Sequence, residues 1–163
     1  MVEIVYPTIE LIPSYYDCLK TVASERIYLE MVEPPPLEKV IEFQGDLIAK
    51  GGPVFYAVDA GRVVGWCDVF SPDNPTQSHR GGLGMGLYSD YRGQGIGAKL
   101  VTSVLNHAKQ FGLEKVELSV FTNNTRAVNL YKSLGFKEEG LIKNYRKLDG
   151  LTFDCLLMAI NLN

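Results

Sequence analysis

Hydrophobic and polar positions along the chain change repeatedly between helix-like and strand-like spacing. In residues 95–111, apolar side chains recur every three or four positions on one face, which predicts an amphipathic helix closed by Gly112. In residues 116–120, apolar and polar residues alternate, which predicts a strand. The same criteria predict strands at residues 2–6, 54–58, 62–70, 82–88, 116–120, 141–148 and 151–160, and helices at residues 9–29 (beginning near Pro13), 37–48, 95–111 and 124–134.

The order of these elements, β-α-α-β-β-β-α-β-α-β-β, predicts a mixed α/β fold. Hairpins are expected at Asp59-Ala60-Gly61 and at Asp149-Gly150, where turn residues separate two strand patterns. The chain has 163 residues, enough for one core, and no repeat or linker divides it. We therefore expect residues 1–163 to form a single domain.

Composition narrows the functional classes. The chain is 46% hydrophobic and 21% charged, and its formal net charge of -3 argues against a nucleic-acid binder with a broad basic face. The sequence has no signal-peptide pattern and no apolar run of membrane-spanning length, so we expect a soluble, cytoplasmic protein without a membrane partner. Cys18, Cys67 and Cys155 form neither a disulfide framework nor a zinc cluster, which suits a reducing compartment.

A glycine-rich loop joins the fourth strand to the long helix. It reads Tyr91-Arg92-Gly93-Gln94-Gly95-Ile96-Gly97-Ala98-Lys99. Alternating glycines allow a tight turn with exposed N–H groups, and the helix adds its positive end, so the loop suits a pyrophosphate, with Arg92 as a charged contact. The dinucleotide fingerprint lacks its third glycine here, and Ala98-Lys99-Leu100 breaks the nucleotide P-loop pattern. The alternative is that the glycines only make a tight turn.

Two motifs together resemble one family. Arg92-x-x-Gly95-x-Gly97 resembles the pyrophosphate-binding motif of the GNAT superfamily of N-acetyltransferases, Arg/Gln-x-x-Gly-x-Gly/Ala. Residues 124–136 are similar to its second signature, Asn-x-x-Ala-x-x-Leu-Tyr-x-x-x-Gly-Phe, at every fixed position. The resemblance is strong for residues 54–160, and the tail after Gly135 resembles the branch with amino-acid N-acetyltransferases and ribosomal-protein N-terminal acetyltransferases.

The resemblance implies a fold, a reaction and a binding site. The implied fold is a mixed, mostly antiparallel central sheet with helices on both faces, splayed at the cofactor-binding strands. The implied reaction moves an acetyl group from acetyl-CoA directly to a primary amine of an amino acid, small molecule or peptide, without a metal. The sequence leaves open whether the protein forms a homodimer. The implied cofactor-binding residues are Met85, Leu87, Arg92, Gly93, Gln94, Gly95, Ile96, Gly97, Ala98 and Asn124.

The resemblance also implies a general acid. Tyr131 occupies the position where the family often keeps the acid that protonates the departing CoA thiolate, and a phenol with a pKa of about 10 can donate a proton to a thiolate whose conjugate acid has a pKa of about 8.5. The alternative is a core tyrosine that packs the short helix. Asn124 is expected either to contact the cofactor or to cap that helix.

The acceptor side is less defined. The segments Tyr28–Leu37 and Asn144–Phe153 are expected to flank the amine site. No motif selects a general base, and a water relay needs none; the candidates are Asp68, Glu117, Glu25, Glu30 and Glu33. Four aromatic residues could line the acceptor site, although core packing is the alternative for each: Trp66, Tyr28, Tyr145 and Phe153.

Other chemically interesting residues are expected to be structural. We predict that His79 and His107 lie at the surface, and that Cys67 and Cys155 pack in the core and do not carry an acyl group. Glycines at residues 82, 84 and 86 are unusual in a strand and indicate either a ligand at close approach or a bulge. Rival functions are a CoA-binding module without catalysis and a kinase or dehydrogenase.

Overall fold

The computed structural model describes all residues from Met1 to Asn163. One seven-stranded sheet runs through the chain in the order β1-β2-β3-β4-β5-β7-β6. Its strands are β1 (Glu3–Val5), β2 (Val54–Asp59), β3 (Arg62–Phe70), β4 (Arg80–Leu87), β5 (Lys115–Phe121), β6 (Lys137–Leu148) and β7 (Leu151–Asn161). The helices are α1 (Ile12–Ser24), α2 (Leu37–Ala49), α3 (Ile96–Phe111) and α4 (Thr125–Ser133). The element order and the two hairpins are those predicted.

The middle of the sheet opens between β4 and β5. Every other neighbouring pair is antiparallel, whereas β4 and β5 are parallel and pair only between Arg80–Gly82 and Lys115–Glu117. From Leu83 onward the two strands separate, so the edge of β4 that would face β5 has no partner strand. The mostly antiparallel, splayed sheet expected from the family resemblance is therefore confirmed.

Separate apolar clusters cover the two faces of the sheet. On the face covered by α1 and α2, Tyr15 stacks on Tyr56 at 5.0 Å between ring centroids and meets Trp66 edge-on at 5.4 Å. On the opposite face, α3 buries Leu100 and Val104 completely, and α4 packs against the same cluster. Full burial of such a side chain contributes about 1.5–3 kcal/mol, so the amphipathic pattern of α3 fixes its position on the sheet.

The end of the first helix differs from its prediction. α1 ends at Ser24, and Arg26 has a left-handed φ of +60°. The apolar spacing that predicted a helix to Leu29 therefore continues beyond the helix itself, into the α1–α2 linker (residues 25–36). Smaller differences affect β4 and β6, which begin at Arg80 and Lys137. Phe111, predicted on the buried face of α3, is 44% exposed because it lies beyond Ala108, the last buried position of that helix.

The strand glycines have a packing explanation. Trp66, Asp68 and Phe70 of β3 lie opposite Gly86, Gly84 and Gly82 of β4. A methyl group on Gly86 would lie 2.3 Å from the Trp66 ring, and one on Gly84 would lie 3.2 Å from Oδ1 of Asp68. Glycine at these two positions makes room for the large and charged side chains of the neighbouring strand.

Histidine and cysteine placements are mostly as predicted. His79 is exposed, but His107 is partly buried: its ring stacks on Tyr6 at 5.2 Å, and Nε2 lies 2.7 Å from the Gly51 carbonyl. His107 thus lies at the surface, as predicted, with one side of its ring packed on an aromatic neighbour and a carbonyl. All three cysteines are buried free thiols, and burial raises the pKa of each. None of the helices has the length and apolar character needed to cross a bilayer.

Candidate functional site

A cavity of about 900 Å³ occupies the gap between β4 and β5. Its walls are the open part of β4, the loop before α3, the start of α4 and the stretch Ile27–Met31 of the α1–α2 linker. This volume lies in the range of small-molecule and cofactor sites. The cavity reaches both faces of the sheet because the strands that would close it have separated.

The glycine-rich loop presents an unusual run of free donors. None of the six backbone N–H groups from Gly93 to Ala98 donates a hydrogen bond to another group of the chain. Gly93 and Gly95 have left-handed φ values of +72° and +81°, and α3 begins directly afterwards at Ile96. Unpaired N–H groups at a helix N-terminus form an anion-binding site, so the local geometry fits a pyrophosphate.

The side chains of this loop point elsewhere. The Gln94 side chain donates to the Asp90 carbonyl at 2.8 Å, and the Ile96 side chain is buried in the core. Gly97 is also tightly packed, since a methyl group there would lie 3.3 Å from both Leu130 and Met85. Any anion bound here would therefore contact the backbone and not these side chains.

The Arg92 side chain lines the cavity and also has partners within the chain that the sequence did not indicate. Its guanidinium forms two hydrogen bonds with Glu25, at 2.6 and 2.9 Å, and two with the Leu87 carbonyl, at 2.7 and 3.0 Å. It also stacks over the Tyr28 ring at 4.6 Å. The guanidinium thus joins the loop to the α1–α2 linker, and it does not extend as a free charge toward the N–H groups.

The backbone of β4 supplies a polar edge to the cavity. The Leu87 carbonyl faces away from β3, toward Arg92. Backbone groups of alternate strand residues point the same way, so Met85 also faces the opening between β4 and β5. Both residues line the cavity, although the Leu87 carbonyl is already occupied.

Tyr131 lies at the floor of the cavity. Its ring is 6% exposed and packs against Phe136 at 5.5 Å between centroids. Its hydroxyl makes no hydrogen bond within the chain, and part of the surface of the hydroxyl oxygen is accessible. Burial raises the pKa of Tyr131, so the phenol stays protonated at neutral pH. The side chain is therefore a core residue whose protonated phenol also lines the cavity, and its role as the general acid stays a prediction.

Asn124 serves as the cap of α4. Its side-chain oxygen accepts a hydrogen bond from the Ala127 N–H at 3.3 Å. The predicted capping role is confirmed. Because Asn124 also lines the cavity, its predicted contact with the cofactor stays a prediction.

Two segments that are distant in sequence meet at a mouth of the cavity beside Glu30, the one residue of their contacting pairs that lines it. Arg26 forms a bidentate pair with Asp149, with both distances at 2.9 Å, and the Tyr145 hydroxyl donates to Glu30 at 2.8 Å. The partners of these contacts are 123 and 115 residues apart in sequence. The linker and the β6–β7 turn therefore lie side by side, and their role as flanks of an amine site stays a prediction.

The aromatic wall of this mouth differs from the predicted one. Tyr28 lines the cavity, whereas Trp66 is buried in the core of the α1 face. Tyr145 and Phe153 contact Phe121, a cavity residue that the sequence analysis missed. Its position at the end of β5, just before the second motif, was the available signal. Arg146, also missed, lies over the Phe121 ring at 4.8 Å and keeps a buried Nη1 without a hydrogen bond.

The five candidate carboxylates lie in different surroundings. The paired ones are Glu25 with Arg92, Glu30 with the Tyr145 hydroxyl, and Glu117 with Arg80 and Lys115. Glu33 is exposed and lies outside the cavity. Asp68 is buried without a cationic partner, and burial raises its pKa to about 7. No group of three or more potential metal-ligating side chains is placed to hold a metal ion.

Part of this chain is similar in sequence to enzymes of known activity. L-amino acid N-acetyltransferase AaaT from Escherichia coli (strain K12) is 29% identical over 100 residues, which cover 61% of this chain and 62% of AaaT. The matched region thus spans about three fifths of that relative's length. The ribosomal protein bS18-alanine N-acetyltransferase of the same organism is 32% identical over 71 residues, which cover 44% of this chain and 48% of that protein. Both kinds of enzyme predicted from the tail are therefore among the relatives.

The fold and the family model agree with these relatives. The structure of yncA from Salmonella typhimurium, solved with its cofactor acetyl-CoA, superposes with a TM-score of 0.92 at 15% identity, over 99% of this chain and 94% of that one. At that identity, the likeness shows the fold alone. The model of the acetyltransferase (GNAT) family matches residues 17–136, which is more than half of the chain. The chain belongs to the acetyltransferase (GNAT) family.

Proposed function

We propose that this protein transfers an acetyl group from acetyl-CoA to a primary amine. The observation that carries the proposal is the run of six free N–H groups beside an opened strand pair. Pyrophosphate would be held by the backbone of residues 93–98, and the pantetheine arm would lie along the unpaired edge of β4 near Met85. When bound, acetyl-CoA supplies the activated thioester.

Tyr131 is proposed as the general acid for the departing sulfur. Its hydroxyl is protonated, uncommitted to any other group and turned to the cavity, which supports this role. Its raised pKa makes the phenol a weaker acid than free tyrosine, so donation requires the developing charge on sulfur to be close and poorly solvated. The pathway from the amine proton to Tyr131 would then restore the phenol for the next cycle.

The acceptor is proposed to enter from the mouth between the linker and the β6–β7 turn. Glu30 and Glu139 line the cavity as carboxylates, which favours a cationic amine over an acidic ligand. The activities named for the two E. coli relatives, on an L-amino acid and on a ribosomal-protein alanine, fit a small or N-terminal primary amine. The free buried thiols suit the cytoplasm as the place of the reaction.

A CoA-release assay over a panel of amines tests the proposal. Amino acids, polyamines and peptides with free N-termini are incubated with acetyl-CoA, and free thiol is measured over time. We expect turnover with at least one small or N-terminal amine. Thermal shift with acetyl-CoA, ATP and NAD runs in parallel, and only acetyl-CoA should raise the melting temperature.

The two assays separate the rival functions. Stabilisation by acetyl-CoA without turnover on any amine would support a CoA-binding module without catalysis. Stabilisation by ATP or NAD alone would contradict acetyl-CoA as the ligand of the glycine-rich loop and would support a kinase or dehydrogenase. A polyanionic best acceptor would contradict the proposed acceptor mouth.

A further inference from the structure

Asp68 is a buried acid for which the fold offers no counter-charge. It lies in the middle of β3 and is 5% exposed. None of the salt bridges of the chain includes it. Burying a carboxylate without a cation is costly, and structures rarely keep one without a use.

A short hydrogen-bond chain holds this carboxyl in one orientation. The Tyr56 hydroxyl donates to Oε1 of Gln44 at 2.6 Å, and Nε2 of Gln44 donates to Oδ2 of Asp68 at 2.8 Å. Gln44 and Tyr56 are themselves buried. The arrangement fixes Oδ2 and leaves Oδ1 without a hydrogen bond from the chain.

The free oxygen faces the glycines of β4 at residues 82, 84 and 86, called the glycine stripe. Gly84 lies directly opposite Asp68, and even a methyl group on Gly84 would approach Oδ1 to 3.2 Å. Gly84 lines the cavity. Because Gly84 has no side chain, a ligand group in contact with its Cα would lie within reach of Oδ1. Oδ1 has no hydrogen bond, but some of its surface is accessible. Only Gly84, a residue without a side chain, thus lies between the buried acid and the cavity.

The groups that face Asp68 are neutral on every side. They are Tyr15 from α1, Gln44 from α2, Tyr56 from β2, Gly84 from β4 and, next in sequence, the Cys67 thiol. Burial raises the pKa of the carboxyl, and the hydrogen bond from Gln44 lowers it by less. The result, about 7, suits a group that exchanges protons at neutral pH.

We propose that Asp68 is the base that removes the proton from the acceptor ammonium across Gly84. This inference rests on the proposed function, and it selects one of the five carboxylates that the sequence left open. Glu25, Glu30 and Glu117 are paired with a cation or a phenol, and Glu33 is exposed, whereas Asp68 has an oxygen without a hydrogen bond directly beside Gly84, which lines the cavity.

The proton balance of the reaction closes with this assignment. The ammonium gives one proton to Oδ1, which leaves a neutral amine with a free lone pair. The amine nitrogen forms the N–C bond as the C–S bond breaks, a second nitrogen proton reaches the departing sulfur by way of Tyr131, and the third stays on the amide. Asp68 returns its proton to solvent, so each turnover releases one proton.

The test compares two acceptors in the wild type and in Asp68→Asn. The first is the best amine of the panel, and the second is its aminooxy analogue, whose nitrogen is neutral at pH 7 and needs no base. For Asp68→Asn at pH 7, kcat/KM for the amine should fall about 10²–10⁴-fold, the range of general base catalysis. For the aminooxy analogue, it should change by less than about threefold, since no proton has to be removed before attack.

The pH dependence provides a second readout. The kcat of the wild type with the amine should fall as the pH drops through about 7, because the base becomes protonated. Asp68→Asn should lack this acidic limb. The exposed carboxylate Asp73 provides a matched control, and Asp73→Asn should retain the limb and the full rate.

Thermal unfolding shows whether the variant remains folded. An acid whose pKa is higher in the folded state than in the unfolded chain loses stability as the pH rises from about 4 through about 7. The melting temperature of Asp68→Asn minus that of the wild type should therefore be larger at pH 8.5 than at pH 5.

Each outcome decides the question. An equal loss for both acceptors would mean that Asp68 acts only through structure, and an unchanged amine rate would remove it from the reaction. If the wild type releases no CoA with any amine, the proposed function fails together with this inference. If the wild type is active and Asp68→Asn matches it, only the assignment of the base is overturned.

Discussion

The two ends of the cavity are built in different ways. The side proposed for the cofactor, called the cofactor side below, consists of residues 83–98 and 123–136 and offers mostly backbone: six free N–H groups and an unpaired strand edge. The side proposed for the acceptor, called the acceptor side below, consists of residues 25–31 and 143–153 and is held by side-chain pairs such as Arg26 with Asp149. Backbone recognition tolerates sequence change, whereas paired side chains do not. The acceptor side is therefore where relatives of one fold can differ in substrate.

One contact joins the two sides. Arg92 belongs to the cofactor loop, and its partner Glu25 begins the α1–α2 linker. Both are largely buried, with side-chain exposures of 15% and 26%. Changes at this pair should affect both ligands, whereas changes elsewhere should affect one.

The largest expected effect is on the cofactor side, at Gly95. Gly95→Asp places a negative charge among the free N–H groups, and acetyl-CoA affinity should fall at least about 100-fold because like charges would lie within a few ångströms. The position has open space for a side chain and a left-handed φ of +81°, which aspartate and asparagine tolerate better than other residues. Isothermal titration with acetyl-CoA measures the loss.

Gly95→Asn is the matched control, since it has the same shape without the charge. It should bind acetyl-CoA much more tightly than Gly95→Asp. Equal affinities for the two variants would show that the loop does not hold an anion. Gly97 is less suitable for this test, because a side chain there would crowd Leu130 and Met85.

The second effect concerns the chemistry at Tyr131. Tyr131→Phe keeps the ring on Phe136 and removes only the hydroxyl, so kcat should fall about 10²–10⁴-fold with little change in acetyl-CoA affinity. Steady-state kinetics and titration of acetyl-CoA measure the two quantities.

Tyr131→Ala separates the packing role from the chemical role. Removing a buried aromatic ring typically costs about 3–5 kcal/mol, so this variant should lose stability in addition to rate. If Tyr131→Phe keeps kcat within about threefold of the wild type, short of the range for acid catalysis, the proton comes from solvent instead.

The third effect probes the contact between the two sides. Glu25→Gln removes the charged partner of a partly buried guanidinium. The affinity for acetyl-CoA should fall about tenfold, and the KM for the acceptor should rise about tenfold. A change in only one of the two constants would show that the pair belongs to one side alone. Gln keeps the length of the side chain, so thermal stability should change little.

The smallest effect should be confined to the acceptor side. Asp149→Asn weakens the exposed pair with Arg26, and the acceptor KM should rise by at most about fivefold, because solvent and salt screen such a pair. The affinity for acetyl-CoA should stay unchanged. The difference from the wild type should shrink at high ionic strength, and a loss of acetyl-CoA affinity would contradict the separation of the two sides.

The local structure of the cofactor side was predicted well because its signals are local. The glycine loop, the amphipathic α3 and the capped α4 each follow from the spacing of a few adjacent residues. The sequence missed contacts between distant side chains, such as Arg92 with Glu25 and Arg26 with Asp149, and the predicted end of the first helix at Leu29 was wrong because the helix ends at Ser24. Local spacing carries no information about such partners.

By itself, the sequence determined the order of the elements, the α/β class, the family motifs and the loop with free N–H groups, since these depend on periodicity and on backbone conformations that glycine permits. Only the tertiary structure decided which side chains meet. It brought residues 123 positions apart to one mouth of the cavity and left Asp68 alone among neutral groups beside Gly84. Strand pairing across the sheet sets those distances, and the pairing depends on how the whole core packs.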